Sequence, residues 1–340
     1  MRGLARACLA IAALLAAAAC APQPEPGVEV LRYASPYSPT HPFSRADQAW
    51  MAHVEEASGG RLKVQPFWGG ALISSDQSVI ELRHGVADVA LITPIYMRAG
   101  MKLMKTQAGF YAGVRSIEDQ VAVYRCLEGA FPTFAEEMAG VRVLAVQGGN
   151  LPHVLTRDRP VRSLDDLRGL RLRAPSELVP VLRTLGVDVV TMPMGEVYSA
   201  ISKGIIDGVV APADTIKSLH FDEVTRHMSL LSVSRGAYPA RAISEQRWRE
   251  LPPDLQQVLA DSVAVWEAAL AREIAKADAG GFAYAREKGV QLIPIPPADQ
   301  QRFDALYDAM ALEHARQLDG VDGEAVYRRA REVVANGGCA

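Results

Sequence analysis

The stretch GLRLRAPSELVPVLRTLGVDVVTMPMGEVYSAISKGIIDGVVAP, residues 169–212, alternates between strand and helix patterns. It opens with two leucines that alternate with two arginines, as in a strand, and the next segment spaces its apolar residues as a helix does, up to Gly186. A second strand, a helix that ends at Gly204 and a third strand follow. Strands that alternate with helices predict an α/β fold with a largely parallel sheet.

A similar order of helix and strand patterns occurs earlier in the chain. HGVADVALITP (84–94) and KGIIDGVVAP (203–212) both carry a Gly at the end of a helix, an Asp three positions later, an apolar strand and a Pro. We expect each Gly to be left-handed and each Asp to bond backbone N–H groups of a tight turn. Ligands of open α/β sheets bind beyond the carboxyl ends of strands. The repeat therefore predicts two lobes that face each other across a cleft, with lining loops that begin at Thr93 and Ala211.

The C-terminal third has a helical pattern. It predicts an uninterrupted helix over residues 252–279, about 40 Å long, that braces both lobes. VQLIPIPP then predicts a late strand, and two more helices close the chain. We assign residues 28–150 and about 236–278 to lobe I with the connecting helix, and residues 151–235 and about 279–335 to lobe II.

The N-terminus, MRGLARACLAIAALLAAAAC, has the parts of an export signal: two arginines, a short apolar run and small residues before a cysteine. Residues 1–19 are predicted to be a signal peptide, with Cys20 as a lipid anchor or with ordinary signal-peptidase cleavage as the alternative. Residues 20–27 form a Pro-rich spacer. These features predict a periplasmic protein. The mixed charge, with a net value of −3, argues against a nucleic-acid partner.

Two further cysteines, Cys126 and Cys339, leave a choice open. A disulfide between them is one interpretation. Cys126 lies in an apolar helical pattern, so a buried free thiol is the favoured one.

Signatures of catalysis are absent from the sequence. No nucleophile elbow, zinc-protease, CxxC, Walker A or GxGxxG motif occurs, and the seven histidines show no metal-ligand spacing. We therefore expect no catalytic residue, metal or cofactor. A periplasmic enzyme on the same fold remains the alternative from another class.

Residues 28–333 resemble the substrate-binding protein of a TRAP transporter, of the DctP type. The similarity lies mainly in SLDDLRGLRLRAP, in the GEVYSAISKGIIDG segment and in the HPFSRADQAW region. The resemblance implies a two-lobed periplasmic binding protein that captures an organic acid anion and delivers it to a membrane permease; a sensor or another transporter type is the alternative recipient. It also implies that Arg173 reads the ligand carboxylate, while Arg171 is solvated. A guanidinium suits this task because its paired donors match the two carboxylate oxygens.

Other site positions follow from the same resemblance. Ser35 and Tyr37 match a loop that contacts ligand, and Thr93, Tyr96 and Met194 match cleft positions. The chain departs from the family at Ala211, where an asparagine is usual, and at His153, where some members have a second arginine. Trp68 joins the aromatic candidates, although each aromatic fits a core position equally well. One strong cation with apolar surroundings predicts a monocarboxylate with an apolar body.

Overall fold

A computed structural model describes residues 27–339. The signal peptide and Cys20 lie outside the described residues. The strands are β1 Glu29–Ala34, β2 Leu62–Phe67, β3 Val89–Leu91, β4 Val141–Gln147, β5 His153–Thr156, β6 Arg171–Arg173, β7 Asp188–Val190, β8 Gly208–Ala211, β9 His227–Ser229, β10 Tyr238–Ser244 and β11 Gln291–Ile293.

The strands form two sheets, one in each lobe. The first has the order β2-β1-β3-β10-β4 and the second β11-β9-β5-β8-β6-β7. Strand β10 runs antiparallel to β3 and β4, and β5 runs antiparallel to β8 and β9, while β1 and β6 pair in parallel with both of their neighbours. Each sheet is therefore largely parallel, as predicted, with one reversed strand among those described: β10 in the first sheet and β5 in the second. Both of these strands arrive from the other lobe.

Helices cover the sheets. They are α1 Pro42–Ala57, α2 Ser78–Arg83, α3 Lys102–Gln107, α4 Ile117–Ala130, α5 Thr133–Glu137, α6 Val179–Thr184, α7 Met194–Ser202, α8 Asp214–Ser218, α9 Glu245–Glu250, α10 Pro253–Asp261, α11 Val263–Glu287, α12 Pro297–Arg316 and α13 Gly323–Asn336. Within residues 27–339, none of these helices combines the length and apolar character that a bilayer crossing requires.

The repeated passages both run from a helix end through a left-handed glycine into a strand. Gly85 and Gly204 both have positive φ, 73° and 68°, as predicted. The Asp of each repeat bonds the adjacent strand rather than its own turn: Asp88 accepts from the backbone N–H of Arg32 at 2.8 Å, and Asp207 accepts from that of Arg171 at 2.7 Å. Each Asp thus fixes a strand next to the loop that enters the cleft.

The bracing helix is interrupted, contrary to the prediction. Ser262 separates α10 from α11, and its hydroxyl donates to the carbonyl of Leu259 while it accepts from the Trp50 indole at 2.8 Å. Helix α11 has 25 residues and is about 37 Å long. Its first half supplies Trp266 to the core of lobe I, and its end supplies Ala285 to the core of lobe II. The helix therefore braces both lobes.

The C-terminal segment corrects two predictions. Helix α13 packs against α4 and shares the core of lobe I, although residues 279–335 were assigned to lobe II. Cys126 and Cys339 form a disulfide with their Cα atoms 5.3 Å apart, so the free-thiol interpretation is wrong. Because the pair is 213 residues apart in sequence, the bond ties the chain end to lobe I.

A buried ion pair organises the interior of lobe I. Asp47 on α1 accepts from Arg241 on β10 at 2.9 Å, from the Trp266 indole at 3.0 Å and from the Tyr33 hydroxyl at 2.6 Å. The side chains of Asp47 and Arg241 are both 0% exposed. Strand β10 can therefore carry an arginine through the core because its charge is neutralised there.

Candidate ligand-binding site

Arg173 lies at the carboxyl end of β6, where the two lobes meet. Its Nε donates to the carbonyl of Met192 at 3.0 Å, and its Nη2 donates to the hydroxyl of Tyr96, in lobe I, at 2.9 Å. The Tyr96 ring also lies near the guanidinium, with 5.4 Å between the Arg173 Cζ and the ring centroid. This end of the strand is therefore in contact with lobe I.

The neighbouring arginine of the same strand has the opposite environment. The Arg171 side chain is 53% exposed and pairs with Asp188, itself 65% exposed, at 3.1 Å. Exposed pairs of this kind contribute little to stability. The structure thus places Arg171 on the surface and Arg173 in the cleft, as the resemblance implied for each.

Arg173 is a buried cation without a carboxylate partner. It is 1% exposed, and among residues 27–339 no Asp or Glu forms an ion pair or a hydrogen bond with it. The charge of Arg173 acts on the carboxyl of Glu177 from a longer distance, but burial raises the pKa of that carboxyl and so disfavours its charged form. Arg241 is equally buried but has Asp47. Removing a charge from water costs several kcal/mol unless a counter-charge compensates, so Arg173 forms a site that favours an anion.

Tyr96 divides the space between the lobes into two compartments. The outer compartment has a volume of about 390 Å³ and is lined by Arg173, Lys105 and Arg98, with Asp76 and Glu196 as its acidic residues. Arg98 pairs with Asp76. Glu196 is exposed at the start of α7. The three cations exceed the two carboxylates, so the outer compartment also favours anions.

The inner compartment, on the other side of Tyr96, is mainly aromatic. Its volume is about 50 Å³, and it is lined by Tyr37, Phe43, Tyr238 and Met194, together with His41, Asn150, Asp214 and Arg235. Tyr37 stacks on His41 with ring centroids 4.1 Å apart. Burial lowers the pKa of His41 to about 3, so at neutral pH this histidine lines the compartment as an uncharged side chain.

Two polar side chains of the inner compartment bond each other. The Asn150 amide donates to Asp214 at 3.3 Å and to the carbonyl of Ile274, on α11, at 2.9 Å. Burial raises the pKa of Asp214, whereas the Asn150 bond and the positive charge of Arg235 act in the opposite direction. Nearby, burial raises the pKa of Asp278 on α11 to about 6.

Three expected site residues of lobe I do not line either compartment. The Ser35 hydroxyl accepts from the backbone N–H of Tyr37 and so supports its loop. The Thr93 hydroxyl donates to the carbonyl of Ser75 and ties β3 to the loop before α2. Trp68 packs on Tyr33 in the lobe I core, with ring centroids 5.6 Å apart. Their roles in the structure are in packing and loop geometry.

The two positions of lobe II at which the sequence departs from the family pattern also lie outside the compartments. His153 and Ala211 lie opposite each other in the β5–β8 pair. The His153 Nδ1 is 3.2 Å from the carbonyl of Leu231, and its ring meets Phe282 edge to face. Burial lowers the pKa of His153. Within residues 27–339, no hydrogen bond or ion pair joins this histidine to a serine or a carboxylate.

Of the predicted site residues, Arg173, Tyr96, Tyr37 and Met194 line the compartments. Four further lining residues were not predicted: Asn150, Asp214, Arg235 and Tyr238. One signal was available: GGN, residues 148–150, directly follows a strand that ends at the cleft. Across residues 27–339, no group of three or more His, Cys, Asp or Glu side chains is arranged to hold a metal ion.

Comparisons with known proteins agree with this architecture. The family model for bacterial extracellular solute-binding protein, family 7 (DctP), matches residues 33–317. A solute-binding protein of Verminephrobacter eiseniae is 27% identical over 277 residues, which cover 78% of each chain.

Solved structures share the fold. A TRAP solute-binding protein of Rhodoferax ferrireducens, in complex with copurified benzoate, has a TM-score of 0.82 at 23% identity and covers 91% of this chain and 98% of its own. A TRAP periplasmic solute-binding protein of Bordetella bronchiseptica, with bound mandelate, has a TM-score of 0.79 at 20% identity and covers 91% and 99%.

Proposed function

The chain belongs to the family 7 bacterial extracellular solute-binding proteins, and we propose that it captures an organic monocarboxylate with an apolar body between its lobes. The bound anion is then passed to a membrane permease of the TRAP type. One observation carries the proposal: Arg173 is buried in the cleft, and among residues 27–339 its side chain hydrogen-bonds two neutral oxygens and forms no ion pair with a carboxylate.

The ligand carboxylate takes the place that the Tyr96 hydroxyl now occupies on Arg173. The Arg173 Nε bond to Met192 fixes the plane of the guanidinium, so its Nη edge is presented in one orientation. A carboxylate accepts more strongly than a neutral phenol and can engage two donors at once. When it displaces the hydroxyl, Tyr96 moves and the two compartments join into one site.

The walls of the joined site favour a monocarboxylate over a dicarboxylate or a sugar acid. Tyr37, Phe43, Tyr238 and Met194 offer the apolar and aromatic surface that an apolar body buries, and His41 is neutral. The two solved relatives hold benzoate and mandelate, both aromatic monocarboxylates. At 23% and 20% identity, these two structures support the fold, and the ligand class is inferred from the residues that line the cavity of this protein.

The proposed capture of the ligand requires no chemical reaction. The site contributes a fixed cation and apolar walls, and no step of the proposed function needs an acid–base pair or a nucleophile. Ligand contacts from both lobes stabilise the closed arrangement over an open one, which gives a permease two distinguishable states.

Calorimetric titration tests the proposal. We expect the wild-type protein to bind aromatic or branched monocarboxylates, and Arg173→Ala to weaken that binding at least about tenfold, the value of one charge-assisted hydrogen bond. The matched control is Arg171→Ala, which removes an exposed arginine of the same strand and should leave affinity unchanged. Tight succinate binding with no monocarboxylate binding, or unchanged affinity in a folded Arg173→Ala protein, would refute it.

A further inference from the structure

The inner compartment has an arginine of its own. Arg235 lies in the link between β9 and β10, and its guanidinium rests on the backbone of Gly149. A Cβ built at position 149 would be 2.6 Å from the Arg235 Nη1, so the glycine is what allows this approach. Within residues 27–339, no hydrogen bond or ion pair of the Arg235 side chain is recorded, and its donors are available to the cavity.

A carboxylate and an amide accompany this arginine. Asp214 lines the same compartment, and the positive charge of Arg235 acts on it. Both hydrogens of the Asn150 amide group are used, one on Asp214 and one on the carbonyl of Ile274, which leaves the amide oxygen as an acceptor. This end of the compartment therefore combines a strong donor with acceptors. The positive charge of Arg235 acts on two carboxyls, Asp214 and Glu177, and burial raises the pKa of both.

On the basis of the proposed function, we propose that Arg235 is a second ligand-reading residue, and that the ligand is a monocarboxylate whose ring-sized apolar body carries a neutral oxygen group, such as a hydroxyl, opposite the carboxylate. A hydroxyl can accept from Arg235 and donate to Asp214 or Asn150 at the same time. A second carboxylate would accept from Arg235 but would also face the Asp214 carboxylate, which repels it.

The positions of the two arginines predict which end of the ligand lies in each compartment. Arg173 lines the outer compartment, Arg235 lines the inner one, and Tyr96 alone lines both. A ligand that displaces Tyr96 from Arg173 extends through the position that Tyr96 now occupies and towards Arg235. Its body then lies between Tyr37, Phe43 and Tyr238. The inner volume of about 50 Å³ holds only a few water-sized groups until that displacement occurs.

Matched ligand pairs test this inference. Benzoate is compared with 4-hydroxybenzoate, and phenylacetate with 4-hydroxyphenylacetate, by calorimetric titration of the wild type and of Arg235→Met; terephthalate serves as the dicarboxylate. We expect the hydroxylated acid of at least one pair to bind the wild type about tenfold more tightly than its partner. In Arg235→Met, this difference should fall below about threefold, while the unsubstituted acids keep their affinity.

Two further variants strengthen the design. Gly149→Ala should displace Arg235 and reproduce the loss of preference, whereas Arg171→Met, on the surface, should keep the wild-type preference. Equal binding of both members in every pair by the wild type overturns the inference even if Arg235→Met does not fold. A preference that survives in a folded Arg235→Met protein, or tighter binding of terephthalate than of 4-hydroxybenzoate, overturns it too.

The outcomes separate this inference from the proposed function. If the wild type binds the unsubstituted acids and the hydroxylated acids equally, the monocarboxylate function stands and only the role of Arg235 fails. If the wild type binds no monocarboxylate and binds dicarboxylates instead, the proposed function itself fails, and the inference that rests on it fails with it.

Discussion

Methionine substitutions of the two most deeply buried arginines should have unequal effects on the unfolding free energy of the ligand-free protein. Arg241 is 0% exposed and Arg173 is 1% exposed. Arg241 bonds Asp47 and the amide oxygen of Gln147, whereas Arg173 bonds only two neutral oxygens, those of Met192 and Tyr96. The two positions therefore separate the effect of burial from the effect of charge pairing.

The magnitudes follow from the partners. Arg241→Met leaves the Asp47 carboxylate buried and uncompensated, and the loss of one partner of a buried pair costs about 3–5 kcal/mol. Arg173→Met removes two hydrogen bonds to neutral acceptors, but it also removes a buried cation whose desolvation costs several kcal/mol. For Arg173→Met we therefore expect a result between a loss of about 1 kcal/mol and a net gain in stability.

Urea unfolding followed by far-UV circular dichroism measures both changes, because helices of both lobes contribute to that signal. Any copurified ligand is first removed by unfolding and refolding under conditions that keep Cys126 and Cys339 oxidised, since bound ligand would stabilise the wild type by mass action. A loss of 3 kcal/mol or more in ligand-free Arg173→Met would refute the reasoning, because Arg173 would then be a structural residue whose charge the fold already satisfies.

Three further expectations concern the disulfide, a close helix approach and pH. A Cys126→Ser/Cys339→Ser double variant should lose about 2–5 kcal/mol of unfolding free energy in urea titration, and an unchanged midpoint would contradict this. Gly281→Ala places a Cβ 2.3 Å from the Ala213 carbonyl oxygen, so calorimetry should show a lower Tm; Gly280→Ala, with open space around it, is the control. The His41 pKa falls from 6.5 to about 3 on folding, so the unfolded chain takes up its proton first and stability is lost as pH drops through this window, by about 1.4 kcal/mol per unit. His41→Asn should flatten the dependence of Tm on pH, and an identical slope would disprove this origin.

The parts of the fold that sequence predicted best are those fixed by local backbone chemistry. Gly85 and Gly204 were predicted to be left-handed because a helix end next to a tight turn requires it, and both are. The break at Ser262 was not predictable, because serine is tolerated in helices and its partner, Trp50, is 212 residues away in sequence. Strand β10 likewise gave no clear pattern, since Arg241 in its centre is compensated by Asp47 from the other end of the chain.

The site residues likewise include some that could be predicted from the sequence and some that could not. Arg173 could be predicted because the run of strand, proline and helix around it carries the family resemblance, which implies a ligand-reading arginine at this position. Arg235 could not, because it stands in a connecting link without a pattern and gains its position from contact with Gly149, 86 positions earlier. Trp68 was left open between the cleft and the core by its sequence, and only the structure shows that it packs on Tyr33 in the core of lobe I.

The path of the chain has a consequence for how such proteins can recombine. Lobe I is assembled from β1–β4, from β10 with the start of α11, and from α13, while lobe II takes the segments in between. A single crossover between two related genes can therefore never exchange one complete lobe. It would join part of one core to part of another, and a crossover within α11 would separate Trp266 in the core of lobe I from Ala285 in the core of lobe II. Chimeras that are designed in the laboratory to exchange a complete lobe therefore need a junction at every passage of the chain between the lobes.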